Sequence, residues 1–185
     1  LWSPNTSSVS PSECNLKLRE RLEKSGVEFR FDCRVVGYDG NSIKTTNGFF
    51  SADHVYNCAG LYADKVAHLF DAGREYTLLP FKGVYRKCIG DNPVNRHIYP
   101  VPNLANPFLG VHFTQTVKGE SKIGPTAIPA FWREHYNGLS GFDLVEFAQV
   151  SLCELDLLIR NSFGFRSLAL QEIVKYRASA LEKDA

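Results

Sequence analysis

One histidine lies in a strand-like stretch, PFLGVHFT at residues 107–114, whose alternation separates two faces. The apolar face consists of Leu109, Val111 and Phe113. The other face consists of Phe108, Gly110, His112 and Thr114. An imidazole titrates near about pH 6.5, which suits a general base. His112 is therefore either the base of an active site or a core histidine bonded to a backbone carbonyl.

A second candidate is the turn inside HVYNCAGLYADKVAHLF, residues 54–70, where a short strand pattern runs into a helix pattern. Ala59 and Gly60 leave room for a ligand near the backbone, and a helix that starts there directs its free N–H groups outward. The alternative is that these small residues only let strand and helix pack. A single Ala-Gly turn is far weaker than a full glycine-rich fingerprint, so both interpretations stay open.

The composition argues against several classes of protein. A formal net charge of +1 without a long Lys or Arg run argues against a nucleic-acid partner. No apolar run approaches the roughly 20 residues that span a bilayer, so we expect a cytoplasmic protein. The 5 cysteines are widely spaced, which predicts reduced thiols, mostly as core filler, and no metal site. The sequence contains no methionine, and we therefore expect it to be processed or incomplete.

Local patterns predict the elements of the first half. Ser10 and Glu13 form a capping box that predicts a helix, which ends at Ser25-Gly26. The alternating stretch VEFRFDCRV, residues 27–35, predicts a strand with one wet face. Two hairpin signals, Asp39-Gly40 and Asn47-Gly48, predict a short ribbon after it.

The second half changes from strands to helices. Residues 76–122 are rich in strand patterns and favour an antiparallel meander, and two helices are expected beyond Gly138. We therefore predict an α+β fold, an antiparallel or mixed sheet with flanking helices and one βα piece. The expected domains are 1–75 and 76–185.

Four ordered motifs resemble one family, the L-2-hydroxyglutarate dehydrogenases and oxidases of the D-amino-acid-oxidase superfamily. They are NCAGLYADKVA (57–67), PFKGVY (80–85), IYPVPNLANPFLGVHFT (98–114) and IGPTAIPAFWREHY (123–136). The opening SPNTSSV is similar to the family's S-P-x-T-G-I-V. Because the family's glycine-rich FAD-binding segment has no counterpart here, the resemblance implies the middle of a longer enzyme.

The resemblance implies a role for particular residues. Cys58, Ala59 and Gly60 match the family's C-A-G turn beside FAD, and His112 matches a histidine that would accept the hydroxyl proton of a 2-hydroxy acid. The implied substrate-binding residues are Lys82, Arg86, Tyr99 and Thr114, with Arg133 and Tyr85 as further candidates. Family members usually carry Arg at the position of Lys82, and Lys lacks the bidentate fork that holds a carboxylate.

The expected reaction is oxidation of L-2-hydroxyglutarate to 2-oxoglutarate by hydride transfer to FAD, with oxygen or a quinone as electron acceptor. A quinone acceptor would imply loose membrane association. Two alternatives stay open: an FAD-dependent amino-acid or glycerol-3-phosphate oxidoreductase, and a non-catalytic α+β binding module. We expect FAD in the longer protein but not on these residues alone, because one helix N-terminus is only part of a dinucleotide cradle. A truncated sheet also predicts self-association.

Overall fold

The computed structural model describes residues 5–90, 94–101 and 110–175. Within these ranges it has four α-helices and two three-stranded antiparallel sheets, which confirms the α+β prediction. The chain forms two compact units, residues 17–79 and residues 1–16 together with 80–185. Each unit is described by itself below. Phe108, Leu109 and the end of the last expected helix lie outside the described residues.

The first helix and the three-stranded ribbon follow the sequence pattern. α1 covers Pro11–Lys24, and the Ser10 hydroxyl accepts the Glu13 N–H at 3.4 Å. The ribbon has the order β1-β2-β3 and consists of β1 (Val35–Tyr38), β2 (Ile43–Thr45) and β3 (Gly48–Phe50). In the first turn, the Asp39 carboxylate accepts the N–H groups of Asn41 and Ser42. These backbone hydrogen bonds lower the pKa of Asp39.

The strand predicted at 27–35 is wrong for nearly all of its length, since β1 begins only at Val35. Residues 31–32 form a turn, and Asp32 has a φ of +53°. Two side chains of the ribbon, Thr46 and Asn47, hydrogen bond to the Asp32 carbonyl in place of a ladder partner. Alternation makes a strand only where a neighbour satisfies the backbone, and here side chains satisfy it instead.

The βα unit predicted at 54–70 forms only in its helical part. A 3₁₀ turn at Gly60–Tyr62 leads into α2 (Ala63–Leu69), but residues 54–58 join no described strand and Tyr56 is exposed. The ring of Phe70 stacks on Tyr38 of β1 at 4.5 Å between centroids. This aromatic pair joins the end of α2 to the ribbon.

The larger unit is built on the sheet β4-β6-β5. It consists of β4 (Phe81–Lys87), β5 (His112–Gln115) and β6 (Ser121–Pro129). The antiparallel pairing was expected, but a simple meander order was not observed, because β6 lies between the other two strands. Val111 and Ile123 are buried with Phe113 against them, which confirms the predicted apolar face for the two residues that are described.

Two helices complete this unit, as expected. α3 covers Leu144–Arg160 and begins at Asp143, whose side chain accepts the Glu146 N–H; α4 covers Phe165–Lys175. The outer side of α3 exposes apolar residues at heptad-like spacing, namely Val145, Leu152, Leu155 and Ile159. Self-association of the chain stays a prediction.

All five cysteines are free thiols, and none is buried, so the expectation of core filler was wrong.

Glu154 is a buried carboxyl on the inner side of α3. It is 7% exposed, and its Oε1 has no hydrogen-bond partner within the described residues. Burial disfavours the charged form and raises the pKa of Glu154 from 4.5 to about 7. The folded state therefore binds this proton more tightly than the unfolded state does.

We predict that the Glu154 contribution to stability is complete below about pH 4.5 and is lost as the pH rises to about 7. Glu154→Gln should remove this dependence and raise the free energy of unfolding at pH 8 by about 3 kcal/mol at most, since one pKa unit is worth about 1.4 kcal/mol. Urea titrations at several pH values measure both effects. Equal pH profiles for the two proteins would contradict the prediction.

Candidate active site

His112, the candidate base, is the first residue of β5 and is 8% exposed. Its Nδ1 lies 2.9 Å from the carbonyl oxygen of Gly110. Because a carbonyl can only accept a hydrogen bond, Nδ1 must carry the proton in the neutral ring. The lone pair of His112 then lies on Nε2, and no group in the described residues hydrogen bonds to that atom. This is the tautomer that a base needs.

Two tyrosines flank His112 in one row across the sheet. The bridge between Ile98 and Phe113 sets Tyr99 beside His112, and their ring centroids are 4.9 Å apart. On the other side Gly124 pairs with His112, and the ring of Tyr85 stands edge-on to the imidazole at 6.0 Å. We call this the histidine row: Tyr99, His112, Gly124 and Tyr85.

Gly124 allows Tyr85 to approach His112, because it has no side chain between them. Between Val84 and Arg86 the register shifts, so that Tyr85 lies opposite the extra residues of β6. Gly124 has a φ of +149°, and a Cβ there would lie 2.8 Å from the Val84 carbonyl oxygen and 2.9 Å from the Tyr85 ring. Only glycine fits between the two ring-bearing strands.

The phenol of Tyr85 is a hydrogen-bond donor at neutral pH. Burial raises the pKa of Tyr85 above 10.0, and the electrostatic influence of Tyr99 raises it further. Both tyrosine rings lie beside the His112 ring, at 6.0 Å for Tyr85 and 4.9 Å for Tyr99 between centroids.

Thr114 shares the face of His112, because residues two apart in a strand point the same way. It pairs with Lys122 of β6, which is also two residues from Gly124. Lys87 of β4 pairs with Lys122 from the other side and forms an ion pair with Glu120. Of the residues predicted to bind substrate, Tyr99 and Thr114 thus lie near His112. Two lysines that were not predicted, Lys87 and Lys122, lie one row away on the sheet.

Lys82 and Arg86 lie on the opposite face of the same sheet. Arg86 pairs with the buried Ile123, and paired residues share a face. Lys82 lies four residues before Arg86 in the same strand and therefore on the same face. Burial lowers the pKa of His135, and the charge of Lys82 lowers it further. The structure does not bring these two cations into the histidine row, so their role in substrate binding stays a prediction.

Arg133, the other candidate cation, is held in a buried ion pair. Its Nη1 lies 3.1 Å from Glu146 Oε1, and its backbone N–H donates to the other carboxylate oxygen at 3.0 Å. The two side chains are only 5% and 9% exposed. Such a pair costs several kcal/mol to break from one side, so Arg133 stabilises the start of α3.

The predicted cofactor turn, residues 58–60, lies in the other compact unit, and the Asn57 side chain hydrogen bonds to its backbone and to the first residue of α2. The Asn57 side chain accepts the Ala59 N–H at 3.2 Å and donates to the Ala63 carbonyl at 2.8 Å. Cys58 and Gly60 are exposed; Gly60 has a φ of +55°, and a Cβ there would meet no atom within 4 Å. The turn is therefore unobstructed, and it fits one backbone contact with a dinucleotide, though not a complete cradle.

A further hydrogen-bond network lies beside the histidine row and was missed in the sequence. His97 stacks on Tyr99 with centroids 6.1 Å apart, and its Nε2 lies 3.0 Å from the Ser8 hydroxyl. The alternation His97–Tyr99 in RHIYPV is a signal that could have placed His97 on the face of Tyr99. The partner Ser8 is 89 residues away and has no such signal.

The chain matches the model of a known protein family. Residues 1–161 match the family model described as FAD dependent oxidoreductase, which is most of the chain. The chain belongs to this family of FAD-dependent oxidoreductases. FAD is therefore the cofactor of this family.

Three curated relatives of this chain are named L-2-hydroxyglutarate dehydrogenase. The chain is 33% identical over 181 residues to "L-2-hydroxyglutarate dehydrogenase, mitochondrial" of Caenorhabditis elegans. This aligned region covers 89% of this chain and 41% of that relative. It is 31% identical over 143 residues to L-2-hydroxyglutarate dehydrogenase of Escherichia coli (strain K12), covering 74% and 34%. With human "L-2-hydroxyglutarate dehydrogenase, mitochondrial" it shares 37% over 125 residues, covering 62% and 26%. The chain spans about two fifths of the length of the nematode relative.

The described residues contain neither a membrane-spanning helix nor a cluster that could hold a metal ion. No helix among them is long and apolar enough to cross a membrane. No group of three or more His, Cys, Asp or Glu side chains among them could hold a metal ion.

We predict that Gly110→Ala disrupts the histidine row. A Cβ at Gly110 would lie 2.5 Å from Cγ of Pro100, and a proline ring cannot rotate away, so the Tyr99–Pro100 segment must shift. Overpacking of this kind costs about 1–3 kcal/mol in the free energy of unfolding. Urea denaturation measures the loss.

The matched control is Gly37→Ala in β1, where a Cβ would make an ordinary 3.7 Å contact with the Lys44 side chain. This variant should stay within about 1 kcal/mol of the parent. An equal loss in both variants would show that Gly110 is not specifically crowded.

Proposed function

We propose that this chain is part of an FAD-dependent 2-hydroxy acid dehydrogenase that oxidises L-2-hydroxyglutarate to 2-oxoglutarate. The observation that carries the proposal is His112 Nε2, an unprotonated nitrogen on a face that also presents two phenols. The shared name of the curated relatives supports the substrate.

The reaction removes two hydrogens from the substrate. The C2 hydrogen leaves as a hydride, and the hydroxyl hydrogen leaves as a proton. FAD, when bound, supplies the acceptor for the hydride. His112 accepts the proton at Nε2, and the bond from Nδ1 to the Gly110 carbonyl stabilises the imidazolium that results.

The neighbours of His112 orient the substrate. Tyr99 and Tyr85 can donate hydrogen bonds to the carboxylate beside the reacting carbon, and Thr114 can donate to the more distant part of the molecule. Protonated phenols suit this role because they bind an anion without repelling it.

A dicarboxylate needs a positive charge near its distal end. Lys82 and Arg86 are the sequence-based candidates, although they lie on the other face of the sheet. Lys122 lies on the face of His112, one row away. Each of these three cations can be replaced by Ala. The variant whose KM rises for a dicarboxylate substrate but not for a monocarboxylate identifies the cation that binds the distal carboxylate.

The cofactor contact of this chain is the turn Cys58–Ala59–Gly60. We expect these residues to approach FAD in the longer protein, and we expect the 185 residues alone not to retain it. Oxygen and a quinone both stay open as the final electron acceptor.

We predict that His112→Asn in the full-length protein lowers kcat/KM by about 10²–10⁴-fold, because a positioned general base contributes a factor of that size. The flavin absorbance should not change, since the substitution does not touch the turn at 58–60. Steady-state kinetics with an artificial electron acceptor measure the loss.

The matched control is His54→Gln, at an exposed histidine in the other compact unit. This variant should keep the parent turnover. Parent-like turnover in His112→Asn, with normal flavin absorbance, would remove His112 from the role of base.

We also predict the preferred substrate class. Rates with L-2-hydroxyglutarate should exceed those with L-amino acids, D-amino acids and glycerol 3-phosphate, because the proposed base accepts a proton from a hydroxyl beside a carboxylate. A substrate panel with the full-length protein measures the order. Faster turnover of an amino acid or of glycerol 3-phosphate would favour the alternative within the same superfamily.

A further inference from the structure

Ser8, His97 and the backbone of Gln115 form a closed ring of hydrogen bonds beside the histidine row. The Gln115 N–H lies 3.3 Å from His97 Nδ1, and the Ser8 hydroxyl lies 3.0 Å from His97 Nε2. The Ser8 hydroxyl also contacts the Gln115 carbonyl oxygen. We call these three residues the serine–histidine link.

The donors and acceptors in this link can be assigned from chemistry alone. A backbone N–H can only donate, so His97 Nδ1 is the acceptor and the proton lies on Nε2. His97 then donates to Ser8, and the Ser8 hydroxyl donates to the Gln115 carbonyl. Every polar atom of the ring has one role, so the orientation of the imidazole is fixed.

This assignment argues against a nucleophilic serine. A serine nucleophile needs a histidine nitrogen that accepts its proton, whereas His97 presents a protonated nitrogen to Ser8. The link therefore holds structure in place and does not perform chemistry of its own.

The link continues into the histidine row through stacked rings. The planes of His97 and Tyr99 differ by 26° at 6.1 Å, and those of Tyr99 and His112 differ by 32° at 4.9 Å. The backbone between them is also fixed, since Ile98 and Phe113 exchange two hydrogen bonds at 3.1 and 3.0 Å. Within this stack, Tyr99 is the ring that connects His97 to His112.

We propose that His97 is a positioning residue that holds Tyr99 against His112, with its own orientation fixed by Ser8 and the Gln115 backbone. The catalytic meaning of this inference rests on the proposed role of His112. The link also fastens the segment before α1 to the edge of the sheet, because Ser8 belongs to that segment and Gln115 to β5.

The test uses the full-length protein with histidine labelled at ¹³Cε1. The His112 resonance is assigned by its disappearance in His112→Asn. His97→Leu should shift this resonance, because the ring current of Tyr99 acts on it at short range, and should lower kcat about tenfold. Ser8→Ala should act in the same direction but more weakly, and Ser8→Thr should restore the parent values.

Ser7→Ala is the matched control for Ser8→Ala, since Ser7 is the exposed neighbour of Ser8. It should leave both the resonance and kcat unchanged. If His97→Leu does not fold, Ser8→Ala carries the test alone.

The outcomes separate this inference from the proposed function. An unchanged His112 resonance in His97→Leu and Ser8→Ala, or a shifted resonance with parent kcat, would overturn the positioning role even if His112→Asn is inactive. Parent turnover in His112→Asn would instead overturn the proposed base. Loss of kcat together with the shift in both link variants supports the inference.

Discussion

The hydrogen bond from His112 Nδ1 to the Gly110 carbonyl is the interaction on which the site depends. It fixes the tautomer, and the tautomer decides whether Nε2 can accept a proton. Gly110 also lies close to Pro100, and a Cβ there would lie 2.5 Å from Cγ of the proline ring. A glycine two positions before the histidine therefore lets this segment pack against Pro100.

The sheet register gives this histidine its surroundings. Gly124 and Tyr85 reach His112 because β6 lies between β4 and β5, whereas Tyr99 reaches it through the bridge between Ile98 and Phe113. The same register places Arg86 beside Ile123 on the other face. One face of the sheet carries hydrogen-bond donors and rings, and the other carries the apolar core with two of the cations that the sequence had assigned to the substrate.

Much of this arrangement could be predicted from local patterns. The capping box at Ser10, the hairpin turns and the apolar side of Val111 and Phe113 depend on neighbours in the sequence, and the structure confirms them. The strands expected at 27–35 and 54–58 depend on partners elsewhere, and alternation alone could not supply these. The faces of Lys82 and Arg86 depend on a shifted register opposite Gly124, which only the pairing of β4 with β6 reveals. The link from Ser8 to His97 joins residues 89 positions apart, beyond any local pattern.

The central claim is that His112 presents an unprotonated Nε2, and ¹⁵N NMR of histidine-labelled full-length protein tests it most directly. At a pH where the ring is neutral, the two nitrogens of His112 have distinct shifts, one typical of a protonated nitrogen and one typical of a lone-pair nitrogen. We expect the protonated type at Nδ1 and the lone-pair type at Nε2. The reverse assignment would mean that His112 cannot accept a proton at the site face and is a core histidine.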